Sequence, residues 1–330
     1  MIKRNRPETS SECFQIWELT DPTNVQNSIE VLDQDIIALG RKPFSAKRTL
    51  VTLERIQLVT HKSSHRVRTR TKVDPEYVAF LAIGPTAKGM IDGIRLNADI
   101  MVVAAPGTEA DLVLEPGYES VTVMMSPDDL KRLLLDHGEV EVNPFAQRFE
   151  FRTCDGPQVQ EFWSLCQKVA NTAERRLKFF GLSEIARASA QTEIQEALVS
   201  VLSAEDSADR KLENDVLQRY SKIIKDVEAF SMRHLDGPVL VRDLCRHANV
   251  SERTLHFAFR EILNMPPAAY LRRLRLHRAR SDLQLGSKSS TTVSAVALDW
   301  GFWHFGEFSR AYKALFGEMP SATLKRKSPA

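Results

Sequence analysis

The stretch from Thr292 to Thr323 limits the fold of this chain more than any other, because it has the pattern of two short helices joined by a tight turn. Apolar residues recur at helical spacing from Val293 to Trp300 and stop at Gly301, whose missing Cβ suits a sharp turn between helices. A second helix is predicted from about His304 to Leu315. The pattern therefore predicts a helix-turn-helix motif, in which the second helix faces a DNA groove.

The same arrangement occurs earlier in the chain, between Val239 and Leu263. A first helix leads into a tight turn at Asn249, and Ser251 is a favourable N-cap for the helix that follows. A further helix, from about Pro267 to Leu285, is predicted between the two motifs. We expect some of its arginines to be solvated or to form internal ion pairs, and one or two to contact phosphate. These arginines are Arg272, Arg273, Arg275, Arg278 and Arg280.

Length and charge both favour a double-stranded DNA partner for this C-terminal part. At about 1.5 Å per residue the connecting helix spans roughly 28 Å, which is close to the ~34 Å between successive major grooves on one face of DNA. The net charge of the whole chain is only +2. From Asp215 onward, however, 19 Lys and Arg stand against 11 Asp and Glu. The basic surplus is thus confined to the predicted DNA-binding part.

Two segments, SERTLHFAFRE in the first motif and WGFWHFGEFSRAYKALFGEMPS in the second, resemble the DNA-binding domain of the AraC/XylS family of bacterial transcription regulators. The resemblance covers Tyr220 to Lys325, and the second segment is also similar to the branch of ethanolamine-utilisation regulators. It implies direct-repeat half-sites in DNA and activation through contact with RNA polymerase. A cupin-like N-terminal domain, with a helical dimerisation element and a small-molecule effector, is also common in the family.

The outward faces of the second helices supply the predicted DNA contacts. His256 either reads a base, contacts a phosphate or is simply solvated, and Phe257 either packs on a thymine methyl or reads nothing. Phe305 and Gly306 offer no side-chain hydrogen bond, so the second motif is expected mainly to position the chain on the DNA backbone. The DNA-binding positions implied by the resemblance and by this outward face are Arg253, His256, Phe257, Arg260, Phe305, Gly306, Ser309, Arg310 and Lys313.

The N-terminal part has the pattern of short strands from Arg48 onward, punctuated by turns such as Pro106-Gly107 and Pro116-Gly117. This pattern predicts a small antiparallel barrel or sandwich, whose interior is either filled by side chains or holds one small ligand. The residues that would bind an effector cannot be named from the sequence. Before the strands, a helix is predicted from Asn27 to Leu39.

Two amphipathic helices, Gln158 to Phe180 and Ser183 to about Ser203, are predicted to form a hairpin. Their apolar stripe either pairs with a second copy, giving a homodimer, or covers the barrel. The predicted fold class is α+β: a cupin-like β-barrel with a helical hairpin, and an all-α domain with two helix-turn-helix motifs joined by a long helix. The predicted divisions are an effector-sensing and dimerisation domain over 1–205, a linker over 206–218 and an AraC-type DNA-binding domain over 219–327.

An enzyme is the main alternative class, and the sequence gives it little support. His61 and His65 share one face of an extended segment, but Lys62 and Arg66 surround them and no further ligand follows at a suitable spacing. We therefore predict surface histidines, no metal, no cofactor and no catalytic residues. Four cysteines, Cys13, Cys154, Cys166 and Cys245, have no spacing typical of a zinc site and are predicted to be reduced thiols.

No apolar run approaches the length of a membrane span, and the start MIKRNRPETS has no signal-peptide core, so a cytoplasmic protein without membrane contact is expected. The predicted function is a sequence-specific DNA-binding regulator, an activator rather than a repressor, which responds to a small effector. A ligand-independent DNA-binding regulator and a barrel enzyme with a DNA-binding tail remain as alternatives.

Overall fold

The computed structural model describes residues 9–11, 13–21, 32–40, 44–138, 149–153, 157–176, 183–204, 215–235, 239–286 and 291–325. Strands occupy the N-terminal half, and helices occupy the rest. No helix among these residues is long and apolar enough to cross a membrane.

The described strands form two antiparallel sheets. The strands are β1 (Thr9–Ser11), β2 (Phe14–Leu19), β3 (Leu32–Ala38), β4 (Ala46–Thr52), β5 (Gln57–Ser63), β6 (Val67–Val73), β7 (Val78–Ile83), β8 (Gly89–Ile91), β9 (Ile94–Leu96), β10 (Ile100–Ala104), β11 (Glu109–Leu114), β12 (Tyr118–Met125) and β13 (Phe149–Thr153). One sheet has eight strands in the order β1-β2-β4-β5-β12-β7-β10-β13, and the other has five in the order β3-β6-β11-β8-β9.

The two sheets face each other, and their inner side chains form one apolar layer. Trp17, Val59 and Met124 come from the larger sheet, and Leu32 and Leu112 come from the smaller one. No ladder joins the two sheets among the described strands, so they form a sandwich rather than a closed barrel. Of the two architectures that the strand pattern predicts, the sandwich is the one observed.

The helices are α1 (Pro127–Asp136), α2 (Gln158–Arg175), α3 (Glu184–Leu202), α4 (Asp215–Arg233), α5 (Val241–Ala248), α6 (Glu252–Leu263), α7 (Pro267–Leu285), α8 (Val293–Asp299), α9 (Phe305–Phe316) and α10 (Pro320–Lys325). Local chemistry explains several of their starts. The Ser126 side chain caps α1 by accepting from the Asp129 N–H at 3.1 Å, and Pro127 follows as the first helical residue.

The hairpin of α2 and α3 covers the outer face of the eight-stranded sheet. Phe162 and Cys166 on α2 and Ile194 and Leu198 on α3 are fully buried in one cluster with strand residues. The apolar stripe is therefore used for packing within the chain, which is the covering role that the sequence left open. Ile185 on α3 is 84% exposed and stands outside this cluster. The predicted end of the first helix, up to Phe180, lies outside the described residues.

The C-terminal helices form two clusters that share α7. The first combines α4, α5 and α6 with Leu271 and Leu274 of α7. The second combines α8 and α9 with Leu276, Ala279 and Leu283 of the same helix. One helix thus carries both halves of the C-terminal part, as the sequence predicts, and its observed bounds match the predicted ones.

The prediction of a helix from Asn27 to Leu39 was wrong, because the described part of this segment is strand β3. In β3, Leu32 and Ile36 point into the sandwich while Ile37 packs on the opposite side. Both faces of the strand are buried, so its apolar residues follow neither a clean period of two nor a helical stripe. Residues 206–214 of the predicted linker lie outside the described residues, and the remaining predicted residues already belong to α4.

The surface assignment of the two histidines was also wrong. His61 lines the space between the sheets, and burial, together with the charge of Arg48, lowers its pKa to about 3. His65 is buried beside the Phe44 ring, with 5.9 Å between ring centroids. In the described part of the chain no group of three or more His, Cys, Asp or Glu could hold a metal. Cys13, Cys166 and Cys245 form no disulfide in the described part of the chain, and Cys154 lies outside it.

Replacing Phe162 by Ala should lower the free energy of unfolding by about 3 to 5 kcal/mol, because the ring fills the layer between α2 and the eight-stranded sheet. Urea unfolding followed by circular dichroism measures this change. Ile185→Ala on the neighbouring helix is the matched control and should change stability by no more than about 0.5 kcal/mol, since this side chain is exposed. Equal losses in both variants would contradict the packing described here.

Candidate DNA-binding surface

The first helix-turn-helix consists of α5, a turn at Asn249 and α6. Asn249 adopts a left-handed conformation with φ of 51°, which Asn tolerates better than most residues. The Ser251 hydroxyl then accepts from the Thr254 N–H at 3.1 Å and starts α6. Leu255 and Phe259 are fully buried against α4 and α7, so their packing fixes which face of α6 points outward.

The outward face of α6 presents an arginine supported by an aromatic ring. The Arg253 guanidinium lies 5.1 Å from the centre of the Phe257 ring, and the Phe257 side chain is 48% exposed. Packing over a ring face restricts the rotamers of an arginine and leaves the N–H groups at the edge of its guanidinium free to bind. Phe257 thus orients Arg253, a role that the sequence did not suggest.

His256 and Arg260 flank this pair on the same exposed face. His256 Nε2 lies 3.8 Å from Glu252 Oε1, beyond hydrogen-bond distance. All four predicted residues of α6 line one concave surface that ends at Asn264, Met265 and Pro266. The predicted set of the first motif is therefore brought together on one surface.

The second helix-turn-helix consists of α8, a turn at Gly301 and α9. The Thr292 hydroxyl caps α8 by accepting from the Ala295 N–H at 3.0 Å. Gly301 has φ of +73°, a conformation that favours glycine, as the sequence predicts. Phe308 and Tyr312 anchor α9 on α7, and no side chain caps α9 at His304.

The outward face of α9 is flat near its start and basic further along. A Cβ added at Gly306 would meet no atom within 4 Å, so packing inside the chain does not require glycine there. Phe305 is 42% exposed, Ser309 is half-buried, and Arg310 and Lys313 are exposed. Arg310 Nε makes a long contact of 3.4 Å with the Gly306 carbonyl, which leaves its other N–H groups available.

Trp303 is an exposed residue near α9 that the sequence analysis did not select. It lies two residues before α9, its side chain is 63% exposed, and it lines the groove between the two motifs. A large exposed indole is unusual on a soluble surface and is typical of binding sites. The sequence could have indicated this exposure, because Trp303 lies outside the apolar stripe that ends at Trp300.

Most arginines of α7 face the N-terminal part of the chain rather than the two recognition surfaces. Arg273 donates to the Ala38 carbonyl at 2.9 Å, and Arg278 and Arg280 pair with Asp35 and Asp21. The expectation of internal ion pairs is confirmed for these two pairs. Arg272 is exposed and lines, together with Arg275, the groove between the two motifs.

Comparison with known proteins agrees with this architecture. A family model described as a helix-turn-helix domain matches residues 244–326. A probable AraC family transcriptional regulator from Rhodopseudomonas palustris is 34% identical over 33% of this chain and 99% of that chain, with a TM-score of 0.30. The C-terminal part of the chain thus has the helix-turn-helix architecture of this family model and is similar in sequence to AraC family regulators. Its finer resemblance to ethanolamine-utilisation regulators stays a prediction.

Two sequence relatives of this chain are named for operon regulation. A probable thc operon regulatory protein from Rhodococcus erythropolis is 36% identical over 28% of this chain and 28% of the relative. An XylDLEGF operon transcriptional activator from Pseudomonas putida is 26% identical over 69% of this chain and 65% of the relative. The match thus spans less than two thirds of either relative. Both names describe regulators rather than enzymes, in agreement with the prediction from the sequence.

Arg253→Ala should weaken binding to a selected DNA site by about 1 to 3 kcal/mol if the oriented guanidinium makes a bidentate base contact. Fluorescence anisotropy with the selected site and with single-base variants measures the loss and the relaxed specificity. Arg242→Ala, which removes an exposed charge from α5, is the control and should have a smaller effect. Equal affinity of wild type and Arg253→Ala would refute the assignment.

Arg310→Ala should weaken binding to all sequences alike and lower the slope of log affinity against log salt by about one, as expected for loss of one phosphate contact. The measurement is a salt titration with selected and random DNA. An unchanged slope, or a loss restricted to the selected site, would show that Arg310 does not hold a phosphate.

Proposed function

We propose that this chain is a cytoplasmic transcription activator that binds direct-repeat half-sites in double-stranded DNA and responds to a small-molecule effector. One observation carries the DNA-binding part of the proposal. Two recognition surfaces, on α6 and α9, are exposed on one domain and are held by the same 19-residue helix. At about 1.5 Å per residue that helix is roughly 28 Å long, and this length is close to the ~34 Å between successive major grooves on one face of DNA.

The proposal of activation rather than repression rests on the names of the sequence relatives. The names of the Pseudomonas putida relatives describe transcriptional activators, and their match extends over 69% of this chain, beyond the DNA-binding domain alone. Activation by a DNA-bound protein requires a contact with the transcription machinery, so we propose RNA polymerase as a partner. We also propose a homodimer.

A cavity between the two sheets supports the effector part of the proposal. Its volume is about 100 Å³, and side chains of both sheets line it. This is smaller than the apolar cavity of about 150 Å³ that is known to hold benzene, so only a small group fits without movement of the lining side chains. The apolar lining includes Ile36, Val59, Leu81, Val102 and Leu112. A small molecule with a substantial apolar part therefore suits this space.

Polar groups are concentrated on one wall of the cavity. Arg48 on β4 lies opposite His61 on β5, and His61 lies opposite Ser120 on β12. Burial lowers the pKa of Arg48 to about 10, so its guanidinium remains charged at neutral pH. His61 is neutral there, and its Nδ1 has no hydrogen-bond partner among the described residues. We propose that this wall orients the polar group of the effector.

Selection of binding sites from a genomic DNA library by the purified full chain tests the DNA-binding proposal. The expected result is a pair of direct repeats with centres about one helical turn apart. Deleting one repeat should weaken binding strongly, and inserting about five base pairs between the repeats should do the same because it rotates them onto opposite faces. Selection of unrelated sequences without a repeat would contradict the proposal.

Thermal unfolding of the full chain against a panel of small weak acids, alcohols, amines and amino acid derivatives tests the effector proposal. A ligand that binds the native state at 100 times its dissociation constant stabilises it by about 2.7 kcal/mol. Ala104→Leu, which reduces the cavity, should abolish the shift for the same compound. Shifts that survive in this variant, or none across the panel, would favour the ligand-independent regulator.

A further inference from the structure

A groove of about 400 Å³ separates the two helix-turn-helix motifs, and we call it the inter-motif groove. The first motif lines it with α5 and the segment just before that helix, and the second motif lines it with residues 301–304 and the start of α9. The connecting helix α7 contributes Arg272 and Arg275. All the described lining residues belong to the C-terminal helices or their connections, so the groove is formed within the DNA-binding part alone.

The inter-motif groove is continuous with both recognition surfaces. The surface of α6 ends at Pro266, and Ala268, which lines the groove and is exposed, follows two residues later. At the other end, His304 lines the groove and directly precedes Phe305, the first residue of the α9 surface. The groove therefore lies between the two surfaces that are predicted to contact DNA.

The position of the groove determines which part of a DNA duplex it meets. Two recognition helices in successive major grooves on one face of DNA leave a minor groove between them. Phosphates of both strands border that minor groove. A protein surface that lies between the two recognition helices therefore faces sugars and phosphates rather than the major-groove edges of bases.

The inter-motif groove carries two arginines that have no carboxylate partner among the described residues. Arg272 is exposed and makes no hydrogen bond or ion pair with a described residue. Arg275 is half-buried and donates to the Ser231 hydroxyl at 3.2 Å, while its Nε is buried without a hydrogen-bond partner in the described part of the chain. Glu307 is the one acidic side chain among the described lining residues. Positive charge thus exceeds negative charge along the groove.

The two arginines differ in this respect from those of α7 that contact the N-terminal part. Burial lowers the pKa of Arg275, and no described carboxylate offsets the cost of burying its charge. Burial acts on Arg280 in the same direction, but Asp21 outweighs it and raises the pKa. A guanidinium that is withdrawn from water without a negative partner is costly. An anion in the inter-motif groove would supply the missing partner.

Trp303 adds an aromatic surface to the groove. Its side chain is 63% exposed and lies in the turn that leads to α9. An indole offers a flat apolar face and a single N–H donor. A deoxyribose and the phosphate beside it present the matching apolar edge and acceptor oxygens. The residue types of the groove therefore suit a sugar-phosphate backbone.

We propose that the inter-motif groove binds the sugar-phosphate backbone beside the minor groove between the two DNA repeats, with Arg272 and Arg275 on phosphates and Trp303 against a sugar. The inference rests on the proposed function, because it requires α6 and α9 to occupy successive major grooves. Such contacts read no base, but they fix the register of the protein on the duplex. The helix α7 thus supplies phosphate ligands in addition to holding the two motifs together.

Arg272→Ala tests the phosphate contact in the full chain. Loss of one phosphate contact should lower the slope of log affinity against log salt by about 0.9. When salt falls from about 200 to about 50 mM, the wild-type affinity should therefore rise about 3.5 times more than that of the variant. Arg272→Lys keeps the charge and should restore most of the slope. An unchanged slope in Arg272→Ala would overturn the proposal.

Two further variants complete the salt titration. Arg132→Ala removes an exposed charge from α1, outside the DNA-binding part, and should leave the slope at the wild-type value. Arg275→Gln combined with Arg272→Ala should lower the slope by about 1.8, because two phosphate contacts are lost. Urea unfolding identifies the variants that are folded. Since Arg272 is exposed, Arg272→Ala should match the stability of the wild type.

Uncharged methylphosphonate linkages locate the contact on the DNA. Linkages placed between the two repeats should weaken wild-type binding, whereas the same number placed outside the repeats should not. In Arg272→Ala the linkages should cost less, so that the combined loss is at least about twofold smaller than the product of the two single losses. Losses that multiply fully would show that Arg272 does not hold these phosphates, and would overturn the proposal.

Substitutions of Trp303 test the contact with the sugar. Trp303→Phe keeps an aromatic ring and removes the N–H, and Trp303→Ala removes both, so affinity should fall in that order. The loss should be the same for every sequence placed between the repeats, because no base is read. The acrylamide quenching that Trp303→Phe removes from the wild-type signal reports on this indole, and bound DNA should reduce it. An indole that stays equally accessible in the complex would contradict the assignment.

The same variants distinguish DNA from a protein partner. An acidic protein surface, such as one on RNA polymerase, would also bind these arginines. Variants that bind every DNA as the wild type does, but no longer activate transcription in a reconstituted assay, would assign the groove to a protein and overturn the DNA proposal. If the wild-type chain binds selected and random DNA alike, the proposed function fails. The salt slope of Arg272→Ala on random DNA then still decides whether the groove holds a phosphate.

Discussion

The shared helix α7 is the constraint on which the rest of the molecule depends. Leu271 and Leu274 belong to the core of the first motif, and Leu276, Ala279 and Leu283 belong to that of the second. Remaining positions contact the N-terminal part through Arg273 and Arg278. A helix buried on several sides has no single apolar stripe. Any rotation of α7 would therefore disturb three packed surfaces together.

Burial on several sides explains why α7 is so rich in arginine. A buried guanidinium needs charged or polar partners, and each arginine that faces the N-terminal part has them. Arg280 lies between Asp21, Glu318 and the Phe316 ring, 4.5 Å from its centre. His277, on the same helix, is buried and neutral, because burial lowers its pKa to about 3. The arginines thus join parts of the chain, and few remain for phosphate.

Local chemistry allowed the sequence to predict the helices. Ser126 and Ser251 cap the helices that directly follow them, and Gly301 forms the turn at its own position. The helical spacing of apolar residues likewise involves only neighbours three and four residues away. The resemblance in the two motifs added which helix faces would contact DNA. That is why the bounds of α7 and the outward residues of α6 and α9 could be predicted.

What could not be predicted depends on partners distant in the chain. Arg68 meets Glu228 and Tyr270, which follow 160 and 202 residues later. Residues Leu32–Ala38 form a strand because sheet partners on β6 bury them, not because of their own pattern. His61 faces a cavity that exists only once two sheets meet. The sequence analysis selected Phe257 but missed its role in orienting Arg253, and it missed Trp303 altogether. Neither ring stacking nor the exposure of a side chain follows from the spacing of residues along the chain.

The five-stranded sheet packs on both of its faces, and this limits which substitutions the protein can accept. A strand cannot alter the cavity side of its backbone without moving the side that carries Arg68 and Asp111, because neighbouring residues alternate between faces. Substitutions on β7 or β10 change the opposite cavity wall, far from this contact. A new ligand preference is therefore compatible with an unchanged contact between the five-stranded sheet and the C-terminal helices when it arises on the eight-stranded sheet. On the five-stranded sheet, the same preference would also alter how the DNA-binding domain is held.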